Sequence, residues 1–202
     1  MNILFISLGC DKNLVDSEQM LGLLTQKGFT LTDDETQADV IVINTCCFIH
    51  DAKEESIQNI LEMAEYRKSG RCKALIVTGC LAQRYKQEII DEIEEVDAVI
   101  GTTAHDEIFE VIEKTLAGQK ELDIQDVDRL VEIDAKRVVT TGGHYAHLKI
   151  AEGCDKHCTY CIIPKIRGSY RSVPVERLLK EAQDLADQGV KELILVAQET
   201  TL

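Results

Sequence analysis

Three apolar runs in the first eighty residues each end in a cysteine, and this repeat constrains the fold more than any other feature. The runs read Phe-Ile-Ser-Leu-Gly-Cys10, Ile-Val-Ile-Asn-Thr-Cys46 and Leu-Ile-Val-Thr-Gly-Cys80. The cysteines are 36 and 34 residues apart, which is about the length of one strand with its crossover helix. Short apolar runs between helical patterns favour a parallel sheet that is covered on both faces. The repeat therefore predicts an α/β domain with a flavodoxin-like parallel sheet.

The hydrophobic pattern places the elements of this domain. Predicted strands occupy Asn2–Ser7, 40–44, 74–78 and Ala98–Ile100, and predicted helices occupy about 14–27, 83–93 and 106–116. Another helix is expected to begin at an Asp51-x-x-Glu54 capping box, with Ile57, Ile60, Leu61 and Ala64 as its buried stripe.

All three repeat cysteines are expected at the carboxyl edge of the sheet, where open α/β proteins bind ligands. If the first strand lies between the other two, the three thiols come within reach of one metal cluster, because parallel strands are about 4.8 Å apart. The alternative is that Cys10, Cys46 and Cys80 are small buried hydrophobes. Cys47 and Cys72 do not share the repeat position, so we expect structural roles for them, with the Cys47 side chain pointing elsewhere.

A second cysteine motif, Cys154-x-x-x-Cys158-x-x-Cys161, follows an apolar run at 148–151. Three thiolates on one short loop indicate a metal site. Structural zinc sites usually have four protein ligands, and so do the iron–sulfur clusters of simple electron carriers. Three cysteines therefore predict a cluster with one open iron. His157 lies inside the loop and is expected to be exposed to solvent.

Composition limits the compartment and the partners. No apolar run approaches the roughly 20 residues of a membrane span, and the first residues lack the pattern of a signal peptide. We therefore expect a cytoplasmic protein, in which eight cysteines indicate metal ligands rather than disulfides. A net charge of −14 disfavours nucleic-acid binding by this segment and favours a basic protein partner.

Several basic residues nevertheless cluster around the second cysteine motif. They are either a solvated face or a positive field for an anionic cluster or a substrate carboxylate. The group consists of Lys156, Lys165, Arg167, Arg171 and Arg177.

The chain divides into a first domain at 1–118, a linker at 119–143 with one short hairpin at most, and the beginning of a second domain at 144–202. The second domain is predicted to contain a strand at 145–150, a helix that begins at Pro174 and a strand at 192–196. One such unit cannot close a barrel, so we expect a truncated chain without activity of its own.

With both cysteine sets placed, the whole chain resembles the methylthiotransferases, a family of radical S-adenosylmethionine enzymes. The motifs Ser7-Leu8-Gly9-Cys10-Asp11-Lys12 and Cys161-Ile162-Ile163-Pro164-Lys165-Ile166-Arg167-Gly168 are similar to the branch that modifies an aspartate of a small-subunit ribosomal protein. The resemblance implies that 144–202 begins a radical S-adenosylmethionine (β/α) partial barrel. The residue after the second repeat cysteine is often small in this family. Here it is Cys47, which is an alternative ligand to Cys46.

The resemblance also implies the cofactors. Cys154, Cys158 and Cys161 would hold a 4Fe–4S cluster that binds S-adenosylmethionine and yields a 5′-deoxyadenosyl radical. Cys10, Cys46 and Cys80 would hold a second 4Fe–4S cluster that takes part in supplying sulfur.

Two further cofactor-binding residues are predicted. Tyr160 would lie against the adenine, or else simply pack, and Gln198 would be a site residue or a polar loop residue. The reaction needs an electron donor such as a flavodoxin and a sulfur donor that the sequence does not identify. No catalytic acid or base is predicted.

Two other functions remain open at this stage. The first is methylthiolation of an adenosine in transfer RNA, which is the activity of another branch of the family. The second is a non-catalytic iron–sulfur or zinc-binding module. The latter predicts no spectroscopic response to S-adenosylmethionine, and its zinc form predicts a colourless protein.

Overall fold

The computed structural model describes residues 1–133 and 135–201. Residues 134 and 202, which fall in the predicted linker and the predicted second domain, lie outside the described residues. The first part of the chain forms a six-stranded parallel sheet, as predicted, in the order β2-β1-β3-β4-β5-β6. The strands are β1 Asn2–Ser7, β2 Thr30–Leu31, β3 Val40–Thr45, β4 Ala74–Gly79, β5 Ala98–Ile100 and β6 Glu121–Asp123.

This order is flavodoxin-like, but the prediction that the first strand lies between the two other cysteine-bearing strands is wrong. The short strand β2 takes the outer place beside β1, and β3 lies between β1 and β4. The three cysteine-bearing strands are still adjacent, because β1 pairs with β3 and β3 pairs with β4.

Among its described residues, this part of the chain has five α-helices. They are α1 Asp11–Gln26, α2 His50–Ser69, α3 Cys80–Tyr85, α4 Gln87–Glu92 and α5 Ile108–Leu116. The predicted helix over 83–93 is broken at Lys86, where φ is +47°. The predicted capping box is also wrong, because α2 begins at His50 and no side chain caps it. Of its predicted stripe, Ile60 and Ala64 are buried but Ile57 and Leu61 are exposed.

The core has two layers because side chains alternate along each strand. Ile41, Ile43, Leu75 and Val77 pack on one face of the sheet with residues of α2 and α3. On the other face, Val40, Val42, Ala74 and Ile76 pack with residues of α1 and α5. Burial on both faces explains the continuous apolar runs of β3 and β4.

The second part of the chain holds a smaller parallel pair of strands, β7 Tyr145–Lys149 and β10 Glu192–Val196. We call the part with β1–β6 and α1–α5 the first sheet region, and the part that runs from β7 to β10 the second sheet region. The helix α7 Val175–Asp187 connects them and packs Leu185 against Ala146 of β7. Between β7 and α7 lie β8 Ala151–Glu152, α6 Ile163–Arg167 and β9 Arg171–Ser172. This is the strand–helix–strand unit expected at the start of a barrel.

The segment expected to be a linker is partly regular, because β6 pairs in parallel with β5 rather than in a hairpin. The division at 118 and 143 stays a prediction. Within residues 1–133 and 135–201, no helix has both the length and the apolar character needed to cross a lipid bilayer.

Candidate functional site

The first cysteine trio lies at the carboxyl edge of the large sheet, just past the ends of three adjacent strands. Each cysteine follows the end of one strand: Cys10 follows β1, Cys46 follows β3 and Cys80 follows β4. These strand ends lie side by side in the sheet, because the last residue of each strand pairs with a residue at or next to the end of its neighbour. A Cβ atom added to Gly9 would lie only 2.9 Å from Sγ of Cys46, so the backbone before Cys10 packs directly on that thiol. Cys46 and Cys80 are buried and Cys10 is exposed.

Cys80 is the most enclosed member of this trio. Gly79, with a φ of +89°, turns the backbone from β4 into α3. The Arg167 side chain of the second sheet region donates a hydrogen bond from Nε to Sγ of Cys80 at 3.4 Å. Burial raises the pKa of the Cys80 thiol to about 12. In the absence of a metal this thiol is therefore protonated at neutral pH.

The two remaining cysteines differ in their relation to this trio. Cys47 does not point away as expected, because its Sγ donates to the backbone oxygen of Cys80 at 3.2 Å. It is buried in the core layer shared with α2 and α3, which fits a structural role. Cys72 precedes β4 and donates to the Ala74 oxygen at 3.3 Å, so the length of β4 separates it from Cys80.

The second trio lies on the loop after β8, beside α6. Gly153 adopts a φ of +77°, and the Cys154 amide donates to the Gly168 oxygen at 3.1 Å. These two features hold the start of the loop against the end of α6. The amide of Lys156 points at Sγ of Cys154 at 3.5 Å, and the Cys161 amide donates to the Cys158 oxygen at 2.9 Å.

The donor set of each trio fits an iron–sulfur cluster. All eight cysteines are free thiols, and thiolates are the ligands that such clusters prefer. Among the residues that the structure describes, no group of three or more cysteine, histidine or carboxylate side chains is already drawn together to metal-binding distance.

A cavity of about 660 Å³ separates the second cysteine loop from the first sheet. Phe48 and Arg84 of the first sheet region line one side, and Cys158, Tyr160 and Cys161 line the other. The cavity therefore adjoins the second trio, and none of Cys10, Cys46 and Cys80 lines it. The Tyr160 side chain is 89% exposed, and its ring is therefore available to a ligand rather than packed in a core.

Gln198 lies close to the second cysteine loop, on the segment that follows β10. Its Oε1 accepts a hydrogen bond from the Gly153 amide at 3.0 Å, and its Nε2 donates to Glu152. These contacts link Gln198 to the start of the loop. His157 is exposed, as expected, and has a φ of +40°.

Comparisons with known proteins agree with this two-part arrangement. Residues 2–101 match the Uncharacterized protein family UPF0004, and residues 148–202 match the Radical SAM superfamily. The chain is 70% identical over all 202 residues to the ribosomal protein uS12 methylthiotransferase RimO of Lachnoclostridium phytofermentans. Over its whole length the chain is similar to the methylthiotransferases.

Two other relatives carry the same name. The protein of Acetivibrio thermocellus is 56% identical over 98% of this chain, and that of Clostridioides difficile is 48% identical over the whole chain. The chain spans less than half the length of these relatives, between 45% and 46% of each. The match to the radical S-adenosylmethionine superfamily implies iron–sulfur chemistry and S-adenosylmethionine as cofactors.

Sequence reasoning missed one feature of the site. Asp16 of α1, Lys149 of β7, Glu152 of β8 and Arg167 of α6 form a buried ionic cluster where the two sheet regions meet. The basic residues around the second cysteine motif therefore differ in burial: Arg167 is buried, whereas Lys156 is exposed. The signal in the sequence was that Asp16 lies four positions before the apolar Met20 and therefore shares its helix face.

Proposed function

We propose that this protein is a radical S-adenosylmethionine methylthiotransferase that adds a methylthio group to the β-carbon of an aspartate in ribosomal protein uS12. The observation that supports this proposal best is that two separate sets of three free cysteines follow strands, one set at the edge of the six-stranded sheet and one on the loop after β8. A cavity lined by Phe48, Arg84 and the second cysteine loop lies beside the second set. The names of the relatives support the choice of substrate.

Each trio has a proposed role. Cys154, Cys158 and Cys161 hold one 4Fe–4S cluster, and Cys10, Cys46 and Cys80 hold the other. When bound, the clusters and S-adenosylmethionine supply an organic radical able to remove hydrogen from an unactivated carbon, together with the sulfur and methyl group to be transferred. Each set would supply three thiolates, one fewer than the four that hold the clusters of simple electron carriers.

The chain itself positions these groups and limits their contact with water. The tight turn at Gly79 brings Cys80 to the edge of the sheet, where it is 6% exposed. Gln198 fixes the start of the second loop through Gly153, and Tyr160 offers an exposed ring to the adenine. Both residues therefore act on S-adenosylmethionine in this proposal, Tyr160 directly and Gln198 through the loop.

The proposed surroundings follow from charge and compartment. A net charge of −14 complements a basic ribosomal protein at long range. We place the reaction in the cytoplasm, with a flavodoxin-type protein as electron donor.

The decisive experiment incubates a full-length version, anaerobically reconstituted, with S-adenosylmethionine and either uS12 or transfer RNA. A mass gain of one methylthio group on a uS12 aspartate supports the proposal, and the same gain on transfer RNA alone contradicts it. A triple alanine variant of Cys154, Cys158 and Cys161 is the control and should modify neither substrate. A reduced cluster whose electron paramagnetic resonance spectrum does not respond to S-adenosylmethionine would point to a non-catalytic module, and a colourless protein to a zinc site.

A further inference from the structure

Arg167 stands out among the buried residues because its three guanidinium nitrogens have partners in both sheet regions. Nε donates to Sγ of Cys80 at 3.4 Å. Nη1 donates to Asp16 at 2.7 Å and lies 3.3 Å from Glu152, and Nη2 donates to Oδ1 of Asn13. The side chain is only 3% exposed, although it comes from the second sheet region and three of these partners come from the first.

The partners of Arg167 lie on either side of the first cysteine trio. Asn13 and Asp16 belong to α1, which begins directly after Cys10. Asn13 also donates to the backbone oxygen of Thr45, the residue before Cys46, at 2.9 Å. One guanidinium therefore contacts Cys80 directly and reaches the neighbourhoods of Cys10 and Cys46 through Asn13.

Stability alone is a poor explanation for this arrangement. Burying several charges costs desolvation free energy that ionic contacts often only balance. What a planar, rigid guanidinium supplies in addition is direction, because its donors point at fixed angles. The Nε donor is used on a sulfur, although carboxylates in the same cluster would accept a stronger hydrogen bond.

We propose that Arg167 is a positioning residue for the first cysteine trio: it orients the sulfur of Cys80 and fixes that sulfur to the docked second sheet region. This inference rests on the proposed function in that it treats Cys80 as a cluster ligand. The first site is then completed only when the two sheet regions are docked. A hydrogen bond from a cation to a ligand sulfur also favours the reduced, more negative state of a cluster.

The test begins with the cluster-free chain, so that it does not depend on cluster loading. Reaction of each cysteine with iodoacetamide is followed by peptide mass spectrometry. Because Cys80 is buried, it reacts only when the structure around it opens locally. We expect Arg167→Gln to raise the population of the open state, and with it the alkylation rate of Cys80, about tenfold, since the closed state loses its charge-assisted hydrogen bonds. The double variant Arg167→Gln/Asp16→Asn guards against misfolding, since it removes one negative charge together with the positive one and leaves Lys149 paired with Glu152, and it should give the same increase.

Two internal controls make the result specific. Cys72 is a buried thiol bonded to Ala74, and its rate should not change. Arg137 is an equally buried arginine that connects Glu18 at 3.1 Å with Glu181 at 2.7 Å, and Arg137→Gln should leave Cys80 within about twofold of the original rate. An unchanged Cys80 rate in the double variant would overturn the inference, as would equal increases at Cys72 or in Arg137→Gln.

A second readout uses the loaded protein. In a background that lacks Cys154, Cys158 and Cys161, only the first site can hold a cluster, and Arg167→Lys should shift its midpoint potential to a more negative value. An unchanged midpoint potential would contradict the proposed effect of Arg167 on the cluster. If the background protein binds no iron, the proposed function fails at this site, whereas the alkylation result still decides whether Arg167 positions Cys80.

Discussion

Arg71 holds the carboxylate of Asp39 with two nitrogens, Nε at 3.0 Å from Oδ1 and Nη2 at 3.3 Å from Oδ2. The backbone amide of Asn2 donates to the same carboxylate at 2.9 Å. Asp39 is 3% exposed and precedes β3, so these contacts connect the amino ends of β1 and β3 with the segment before β4. They lie at the opposite edge of the sheet from the cysteine trio.

This carboxylate should make stability depend on acid. The hydrogen bond from Arg71, with that from Asn2, lowers the pKa of Asp39 to about 2, below the roughly 3.9 of an unfolded chain. Its contribution is therefore complete above about pH 5 and is lost as the pH falls toward 2. Asp39→Asn should lower the free energy of unfolding by about 1 to 2 kcal/mol at pH 7, with a smaller difference near pH 3.

Urea unfolding of the two proteins at both pH values measures this difference. Asp33→Asn, at an exposed position, is the control and should change stability by less than about 0.5 kcal/mol. If the difference in unfolding free energy between Asp39→Asn and the unsubstituted protein grew as the pH fell, Asp39 would not be the source of the acid dependence.

The turn at Gly79 should be intolerant of a side chain. Its φ is +89°, and a Cβ atom there would lie 2.6 Å from the Thr45 oxygen and 2.9 Å from the Thr45 nitrogen. Gly79→Ala should therefore cost at least about 3 kcal/mol, because it adds a collision with backbone to the strain of a left-handed conformation. Thermal unfolding compares it with Gly28→Ala.

Gly28 is a matched control, because its φ is +91° and nothing lies within 4 Å of an added Cβ atom. Strain alone should cost about 1 to 2 kcal/mol there. Equal losses at the two positions would mean that close packing against Thr45 is unimportant.

The central strand should carry much of the stability of the sheet. Ile43 is fully buried between α2 and the neighbouring strands. Ile43→Ala should lower the free energy of unfolding by about 3 kcal/mol through lost burial and the cavity it leaves. Leu61→Ala, at a position 51% exposed, should cost less than about 1 kcal/mol, and chemical denaturation distinguishes the two.

Iron content tests the first trio directly. If both proposed clusters are loaded, anaerobic reconstitution should give about eight irons per chain. Cys46→Ala should reduce the content to about four, because two thiolates hold a cluster poorly, whereas Cys72→Ala should leave it unchanged. Cys47→Ala should also leave the iron content unchanged. If Cys47→Ala lost iron and Cys46→Ala loaded fully, Cys47 rather than Cys46 would be the cluster ligand.

The strands of the first sheet were predictable to different degrees. The runs at β1, β3, β4 and β5 could be found because burial on both faces requires continuous apolar sequence. β2 and β6 were missed because they are short, and their residues are exposed or only partly buried. Missing β2 led directly to the wrong neighbour for β1, although the flavodoxin-like order itself was right.

At the candidate site, the spacing of the cysteines predicted their place in the fold, since a residue that follows a parallel strand lies at the carboxyl edge. The contact between Arg167 and Asp16 could not be predicted in this way. The two residues are 151 positions apart, and each is buried in an ionic cluster whose members come from distant parts of the sequence. The local sequence pattern alone predicts that both residues lie on the surface. The break at Lys86 likewise depends on how α3 and α4 pack.

The adjacency of β1, β3 and β4 has a consequence for how this chain can vary. The lateral distances among Cys10, Cys46 and Cys80 are set by two ladders of backbone hydrogen bonds, not by the number of residues between the cysteines. Insertions in the crossover loops can thus change the intervals of 36 and 34 freely. A single residue gained or lost inside one strand would turn its cysteine toward the opposite layer.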